Sequence, residues 1–359
     1  MASKFTVSHR AGWLMAGPAF GLMVMFILVP FFFAFALSFT NQRLISPNPT
    51  EFVGLSNYRQ LLGVGMLTLE PVKDDAGIVQ LKDGAPEYPA LRSFTRKNPD
   101  YPHLDGMREL FSFNLSGDKI TYVLARDVVF IKAVLNTFLF VLIVAPLQGG
   151  LALGLTLLIN QKLRGINVFR TIYFMPVVVS IVVVSILWRI IYDGNNGLLN
   201  NILTGLSFGA FQPVNWLGET STAMGAIIAM SVWQAVGFHM VIWLSGLQTI
   251  SPTLYEAASI EGASKWQVFR YITWPGLKNT AVLVLIVITM QAFGLFDQIN
   301  VMTKGGPLDS TQTIVFQAIE RGYGKQDISG GSAISVLLFL LVLSVSLIQR
   351  YLTRSVEAK

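Results

Sequence analysis

Two glutamines and one phenylalanine, placed inside long apolar stretches, are the side chains whose types and spacing suggest binding chemistry. Gln234 and Phe238 are four residues apart, so they share one face of a helix. On a later stretch Gln291 is the single polar member of a face that also carries Ile288, Ala292 and Leu295. Amides bond hydroxyl groups and rings can lie beneath a ligand, so a few such groups could orient a hydroxyl-rich ligand. A hydrogen bond between two helices is an equally good interpretation of each glutamine.

Catalytic and metal-binding chemistry find little support in the sequence. The chain has no cysteine, which excludes disulfides, thiolate metal sites and thiol nucleophiles. Its three histidines lie in different regions, so we expect no metal centre, and His239 is expected to bond between helices. The phosphate-binding pattern G-x-x-x-x-G-K-[ST] does not occur, and no Ser-His-Asp or paired-carboxylate set shares a face. We therefore do not expect this chain to be an enzyme.

The elements that must position these side chains are membrane-spanning helices. Hydrophobic residues make up 53% of the chain and charged residues 13%, with a mean hydropathy of +0.57. This is far more apolar than a soluble domain. We predict an all-α membrane protein with six transmembrane helices, since six stretches could cross roughly 30 Å of hydrocarbon as helices of about 20 residues. These are residues 13–39, 133–159, 168–192, 222–247, 281–301 and 333–351. The first is too long for the apolar core of a signal peptide and is expected to be retained.

Lysine and arginine are distributed asymmetrically over the connections, which predicts the orientation. One set of connections and termini carries the basic residues Lys4, Arg10, Lys162, Arg164, Arg170, Lys265, Arg270, Lys278, Arg350, Arg354 and Lys359. The opposing connection 193–221 has none. The first set is therefore predicted to be cytoplasmic, with both termini inside. The pI near 9.5 follows from this asymmetry, so it requires no nucleic acid as a partner.

The connection between the first two spans is the one long polar segment, residues 41–132, and it is predicted to be extracytoplasmic. Prolines punctuate it, as in Pro-Glu-Tyr-Pro at 86–89 and Asn-Pro-Asp-Tyr-Pro at 98–102. Such a pattern predicts short strands and turns rather than a full domain. A solvated loop without a function is an equally good interpretation. The predicted units are the N-terminus and first helix (1–40), this insertion (41–132) and a core with the other five helices (133–359).

The connection 252–278 is predicted to form two short helices. Ser251 followed by Pro252 is typical of a helix start, and Gly262 fits the end of that helix. Ser264 and Gln267 form a capping-box pattern for a second helix. Its apolar residues recur at helical spacing until a proline is expected to end it: Trp266, Phe269, Ile272 and then Pro275. An amphipathic helix on lipid headgroups is the alternative, but this order favours a shaped docking surface.

A family resemblance follows from this connection and from several other segments. Glu256-Ala257-Ala258, with Gly262 and then Ile272 and Pro275, resembles the EAA loop of binding-protein-dependent ABC importer permeases. The resemblance also covers residues 160–176, Gly197-Leu198-Leu199-Asn200, Asn215-Trp216-Leu217-Gly218, Phe296-Asp297, Thr303-Lys304-Gly305-Gly306-Pro307 and Ser310-Thr311. Together these are similar to carbohydrate-importer permeases of the maltose and glycerol-phosphate type. The sequence departs from the family at Glu261, Trp274 and Asn279-Thr280, where Asp, Leu and a second Pro are usual.

The resemblance implies a function and a set of partners. It implies a permease subunit in the bacterial cytoplasmic membrane that moves a sugar or sugar derivative inward by alternating access. ATP and Mg would be bound by a separate ATP-binding subunit, expected as a dimer, so this chain itself is expected to hold no cofactor. The other implied partners are a second permease subunit, forming a heterodimer, and a soluble periplasmic substrate-binding protein. In the maltose system a large periplasmic loop at the position of 41–132 contacts that protein.

The resemblance also assigns residues to roles. The loop that docks on the ATPase in this family would here use Glu256, Ala257, Ala258, Glu261, Gly262, Ala263, Trp266, Phe269 and Pro275. The expected substrate path aligns with sugar-contacting stretches of the maltose subunit, although the residue types differ, and comprises Gln234, Phe238, Ile288, Gln291, Ala292 and Leu295.

Two other functions stay open at this point. A secondary transporter driven by an ion gradient would need acidic residues within the membrane, and the spans contain almost none apart from Asp297 near an end. A membrane scaffold or sensor without transport would not need polar faces on the fourth and fifth helices.

Overall fold

The computed structural model describes residues 9–75, 78–82, 85–116, 119–161 and 165–357, and most of them are helical. In this part of the chain five helical stretches are long and apolar enough to span a membrane: Trp13–Leu37, Val128–Ile159, Ala223–Leu247, Lys278–Met302 and Ile328–Thr353. They agree with five of the six predicted spans. Four of the basic residues used to predict orientation, Lys4, Lys162, Arg164 and Lys359, lie outside the described residues.

The helices follow one another along the chain with several irregular turns. The first span contains α1 (His9–Met23) and α2 (Val29–Leu37), joined by the π-helical turn Val24–Leu28. After the insertion come α5 (Val128–Ile159), α6 (Ile166–Val178), α7 (Ile181–Ile191), α8 (Leu198–Leu206) and α9 (Ala223–Leu247). The rest of the chain forms α10 (Pro252–Ile260), α11 (Lys265–Val268), α12 (Trp274–Gly276), α13 (Lys278–Phe293), α14 (Asp297–Met302), α15 (Ile314–Ile319) and α16 (Ile328–Glu357). Further π-helical turns occupy Phe269–Thr273 and Glu320–Gly324.

The stretch predicted as the third span is not one continuous helix. α6 and α7 meet at an angle of 97°. The backbone is extended at Val179 and Ser180, and α7 restarts with the amide of Val184 donating to the carbonyl of Ser180. Pro176 lies in the last turn of α6, where it has no N–H to donate to the preceding turn. The third predicted span, residues 168–192, is therefore a pair of helices bent at Val179 and Ser180.

The insertion between α2 and α5 contains both strands and short helices. Its described residues form α3 (Ser56–Leu62), α4 (Arg92–Thr95), a 3-10 turn at Pro102–Leu104 and five strands. β1 (Val64–Leu69), β5 (Lys119–Ala125) and β4 (Arg108–Ser116) form an antiparallel sheet in the order β1-β5-β4, with Val64 opposite Ala125 and Arg108 opposite the same residue. β2 (Leu81–Lys82) pairs with β3 (Ala85–Pro86). The buried core of this unit is Leu67, Leu69, Leu104, Met107 and Leu124. The short strands and turns predicted for residues 41–132 are therefore confirmed. The predicted helical class holds for the membrane-spanning part of the chain, and the strands are confined to the insertion.

The membrane bundle is built around α5 and α9. These two helices pack along their lengths, and α13 packs against α5 as well. The core between them is apolar and fully buried at positions such as Phe140, Val144, Ile227, Met230, Val284 and Ile288. Polar links reinforce the contact, since Thr156 donates to the carbonyl of Met240 and the Trp243 ring N–H donates to that of Gly149.

The bundle has two distinct ends. At the first, the N-terminus of α5 lies beside the N-terminus of α16, because Asp127 and Asp327 both bind Arg321. The insertion enters here, so we name it the insertion end. At the opposite end Leu157, in the last turn of α5, lines a cavity with Tyr255 and Phe269. This second end, which carries residues 252–278, is the loop end.

Candidate functional site

All six residues predicted to line a path lie around one cavity inside the bundle. The cavity has a volume of about 450 Å³ and lies between α5, α9, α13 and the joint of α6 with α7. α9 contributes Gln234 and Phe238, and α13 with the residues after it contributes Ile288, Gln291, Ala292 and Leu295. Ile288, Ala292 and Leu295 are buried, Gln234 and Phe238 are half-buried, and Gln291 is exposed. The two predicted faces therefore do converge.

The cavity combines an apolar wall with several polar groups. Besides the two predicted glutamines, Gln148, Ser231, Asp297 and Gln298 also line it. The Ser231 hydroxyl is buried and has no hydrogen-bond partner among the described residues, so it could bond a ligand. Asp297 is the only charged residue among those that line the cavity in the described part of the chain. Hydroxyl and amide groups of an uncharged ligand suit such a lining.

Gln148 is a lining residue that the sequence interpretation missed. It lies on α5, is 3% exposed, and its amide nitrogen is 2.7 Å from Nδ1 of His239 on α9. The same Nδ1 lies 3.0 Å from the carbonyl oxygen of Ala235. The prediction that His239 bonds between helices is confirmed. Gln148 is an amide within the apolar stretch 133–159, so the rule that selected Gln234 and Gln291 would also have selected it.

A close approach of two backbones fixes α6 beside the cavity. A Cβ atom at Gly237 of α9 would lie 2.0 Å from the carbonyl oxygen of Tyr173 in α6. The neighbouring Phe174 Cα would be 3.1 Å away. Only glycine permits this contact, which brings Val177, near the end of α6, to the cavity wall.

The second region of interest is at the loop end, where the predicted start and break of the first short helix are confirmed. α10 runs from Pro252 to Ile260 and ends in a Schellman motif. Ala263 N–H donates to the carbonyl of Ala258, and Gly262 N–H donates to that of Ser259. Gly262 has φ of +71°, and a Cβ there would meet nothing within 4 Å. The glycine is needed for its backbone conformation and not for space.

The second short helix has the predicted capping box but not the predicted end. The Ser264 hydroxyl accepts from Gln267 N–H, and the Gln267 side chain accepts from Ser264 N–H. Pro275, however, does not stop the helix. The π-helical turn Phe269–Thr273 precedes it, and Pro275 is the second residue of α12, which continues directly from that turn. The backbone then continues through Leu277 into α13.

The residues expected to contact an ATPase form an exposed surface around these two helices. Glu256, Ala257, Glu261, Gly262, Trp266 and Pro275 are exposed, and Ala258, Ala263 and Phe269 are half-buried. The rings of Trp266 and Phe269 stack with their centroids 5.7 Å apart. The Tyr255 hydroxyl lies 3.2 Å from that of Thr273 and ties α10 to the helix that leads into α13. A cavity of about 690 Å³ lies between these elements and the end of α5.

Comparison with known proteins identifies relatives over the membrane core. The family model described as binding-protein-dependent transport system inner membrane component matches residues 149–358. The trehalose/maltose transport system permease protein MalF of Thermococcus litoralis is 38% identical over 224 residues, covering 62% of this chain and 74% of that protein. The lactose transport system permease protein LacF of Rhizobium radiobacter is 31% identical over 271 residues, covering 74% and 88%.

A solved structure shows the same fold. A chain from a bacterial ABC transporter involved in the import of the acidic polysaccharide alginate superposes with a TM-score of 0.58. Sequence identity is 22%, and the match covers 63% of this chain and 79% of the other.

Proposed function

This chain belongs to the family of binding-protein-dependent transport system inner membrane components, and on that premise we propose that it is a sugar-importing permease subunit. The observation that carries the proposal is the cavity of about 450 Å³ between α5, α9 and α13. It brings four glutamines, a serine and the half-buried ring of Phe238 around one space in a protein of the inner membrane. Three relatives are named for trehalose and maltose, lactose, and diacetylchitobiose uptake, which supports a sugar as cargo.

The cargo that this cavity suits is a neutral sugar. Among the lining residues in the described part of the chain there is no lysine or arginine, and Asp297 adds a carboxylate. A uronate-bearing sugar would therefore meet a negative charge without a compensating cation. Amides and a ring instead orient uncharged hydroxyls without holding them tightly, as a transporter requires.

The loop end would couple this path to ATP hydrolysis in a separate subunit. α10 and α11 present exposed Glu256, Glu261 and Trp266, and Tyr255 connects them to the helix that runs into α13. α13 carries Ile288 and Gln291 to the cavity, so a push on the loop end would be transmitted to the cavity wall. Alternating access then follows from movement of α13 against α5 and α9.

The lysine and arginine asymmetry supports a cytoplasmic loop end and an extracytoplasmic insertion, with both termini inside. In this arrangement residues 1–40, 41–132 and 133–359 would act as an anchor, a platform for the binding protein, and the permease core. The partners would be an ATP-binding subunit dimer with ATP and Mg, a second permease subunit in a heterodimer, and a soluble periplasmic substrate-binding protein. This chain itself would hold no cofactor.

Reconstitution of the copurified complex in proteoliposomes tests the function. Uptake of labelled trehalose, maltose, lactose or diacetylchitobiose is measured with the loaded binding protein outside and ATP inside. We expect uptake to require ATP hydrolysis and to persist when ion gradients are collapsed. Uptake driven by an ion gradient without ATP would indicate a secondary transporter, and binding without uptake would indicate a scaffold; either result would reject the proposal.

A further inference from the structure

A second polar cavity lies at the insertion end of the bundle, away from the site described above. Its volume is about 290 Å³. Five cationic side chains line it: Arg43, Arg108, Arg126, Arg321 and Lys325. The acidic side chains that line it are Asp127 and Asp327. The cationic groups therefore exceed the anionic ones by three.

The two carboxylates are already occupied. Arg321, which is 8% exposed, donates from Nη1 to Asp127 and from Nε to Asp327, both over 2.7 Å. The other oxygens of the two carboxylates accept backbone N–H groups, that of Phe130 at the start of α5 and that of Gly330 in α16. Asp127 and Asp327 thus pair with the buried arginine and cap two helices, and this group of three carries a net charge of −1. The other four cations bring the cavity to a net charge of +3, which favours an anion.

The oxygen of a buried amide in the same cavity also lacks a hydrogen-bond partner among the described residues. Gln317 on α15 is 2% exposed, and its Oε1 makes no hydrogen bond within the described part of the chain. An unpaired buried amide is costly unless a polar ligand meets it, and its nitrogen and oxygen can exchange places to donate to an oxyanion.

The position of the cavity indicates where the anion comes from. Arg43 follows the end of the span Trp13–Leu37, Asp127 immediately precedes Val128–Ile159, and Asp327 immediately precedes Ile328–Thr353. The amide of Leu44 donates to the carbonyl of Gln326, which holds the first of these ends against the last. Three span ends meet at one level, and a bilayer crossed by these spans would have its lipid headgroups near that level.

We propose that this cavity binds the phosphate of an anionic phospholipid headgroup in the leaflet that faces the insertion. The guanidinium groups of Arg43, Arg108 and Arg126 and the ammonium group of Lys325 bind the phosphate oxygens, while Arg321 keeps its two carboxylates. Bound lipid would fix the sheet of the insertion, through Arg108 and Arg126, to the first span and α16.

Lipid binding to the full chain in its copurified complex tests this inference. Arg43, Arg108 and Lys325 are exposed, so R43Q/R108Q/K325Q removes three charges without disturbing the ion pairs of Arg321. The matched control K73Q/R92Q/R96Q removes three exposed cations elsewhere in the insertion. Native mass spectrometry and thermal melting are compared with phosphatidylglycerol, phosphatidylcholine and inorganic phosphate.

We expect phosphatidylglycerol, but not phosphatidylcholine, to stay bound and to raise the melting temperature of the wild-type and control complexes. In R43Q/R108Q/K325Q the affinity for phosphatidylglycerol should fall roughly 100-fold, since each basic residue contributes to attraction at an anionic surface. Equal effects of the two lipids, equal losses in both triple variants, or full stabilisation by inorganic phosphate alone would each overturn the assignment. So would an affinity for phosphatidylglycerol that R43Q/R108Q/K325Q leaves unchanged while binding-protein docking is lost, because the occupant would then be a protein carboxylate.

Discussion

Gly237 of α9 contacts the backbone of α6 so closely that a Cβ at this position would lie 2.0 Å from the carbonyl oxygen of Tyr173. Backbone atoms cannot move aside cheaply, so Gly237→Ala should push α6 away from the cavity wall and destabilise the complex by about 1–3 kcal/mol. Thermal melting of the purified complex measures this. Gly225→Ala on the same helix is the control, since a Cβ there meets nothing within 4 Å and alanine favours a helix. Equal melting temperatures of the two variants would show that α6 is not held by this contact.

Gln148→Leu removes the hydrogen bond between Gln148 and His239 at a similar side-chain volume. We expect the complex to lose about 0.5–2 kcal/mol of stability, as is typical of a polar contact between membrane helices. Melting temperature is the measurement. Ser245→Ala is the control because the hydroxyl of Ser245 bonds only within α9, to Val241. A Gln148→Leu complex that melts like the Ser245→Ala complex would contradict the role of Gln148 as a link.

Gln291→Leu tests the proposed path. The substitution removes both a donor and an acceptor from the cavity, so sugar uptake should fall about 2- to 10-fold while the complex still assembles. Adding Gln234→Leu should lower uptake further or change the preferred sugar. Met290→Leu, at an exposed residue that does not line the cavity in the described structure, should leave uptake unchanged. If the double variant retains both wild-type rate and preference, these glutamines do not contact the cargo.

Gly262 allows coupling to be tested at a single position. Its φ of +71° costs a β-branched residue about 1–2 kcal/mol, whereas asparagine adopts this conformation more easily. Gly262→Val should therefore reduce the sugar molecules moved per ATP hydrolysed, and Gly262→Asn should reduce them less. No atom of this chain lies within 4 Å of a Cβ at this position, so the two variants differ within the chain in backbone conformation and not in packing. Wild-type coupling in Gly262→Val would show that the shape of this turn does not matter to the ATPase.

Orientation can be measured directly because the chain has no cysteine of its own. Asp100→Cys in the insertion and Ser264→Cys at the loop end replace exposed residues. In cells with a permeabilised outer membrane, a thiol reagent that cannot cross the inner membrane should label Asp100→Cys and leave Ser264→Cys unlabelled until lysis. The reverse pattern would invert the proposed topology.

Helix positions and faces could be predicted from sequence because they depend on periodicity and local capping. The faces of Gln234 and Gln291 converge as the spacing indicated, and Ser264 caps α11 with Gln267 as the pattern required. The 97° break after α6 could not be predicted, because a proline inside an apolar stretch does not by itself say whether the helix bends or stops. The effect of Pro275 was predicted wrongly, since the π turn before it depends on packing.

Contacts between residues far apart in the sequence could not be predicted, for a different reason. The approach of Gly237 to Tyr173 joins residues 64 positions apart, and a glycine in an apolar stretch carries no sign of its partner. Gln148 could have been selected as an amide within a span, but its partner His239 is 91 positions away.

The length of α5 has a mechanical consequence. Its 32 residues extend about 48 Å as one helix. Its N-cap Asp127 is anchored to Arg321, its middle carries Gln148 into the cavity, and Leu157 lies under the loop end. A tilt of α5 by about 5° about Asp127 would displace its loop end by about 4 Å and would carry α9 with it through Thr156 and Met240. The displacement would decrease along α5 from the loop end towards Asp127. The part of α5 that lines the cavity would move by about half as much as the loop end, and the insertion end would stay nearly still.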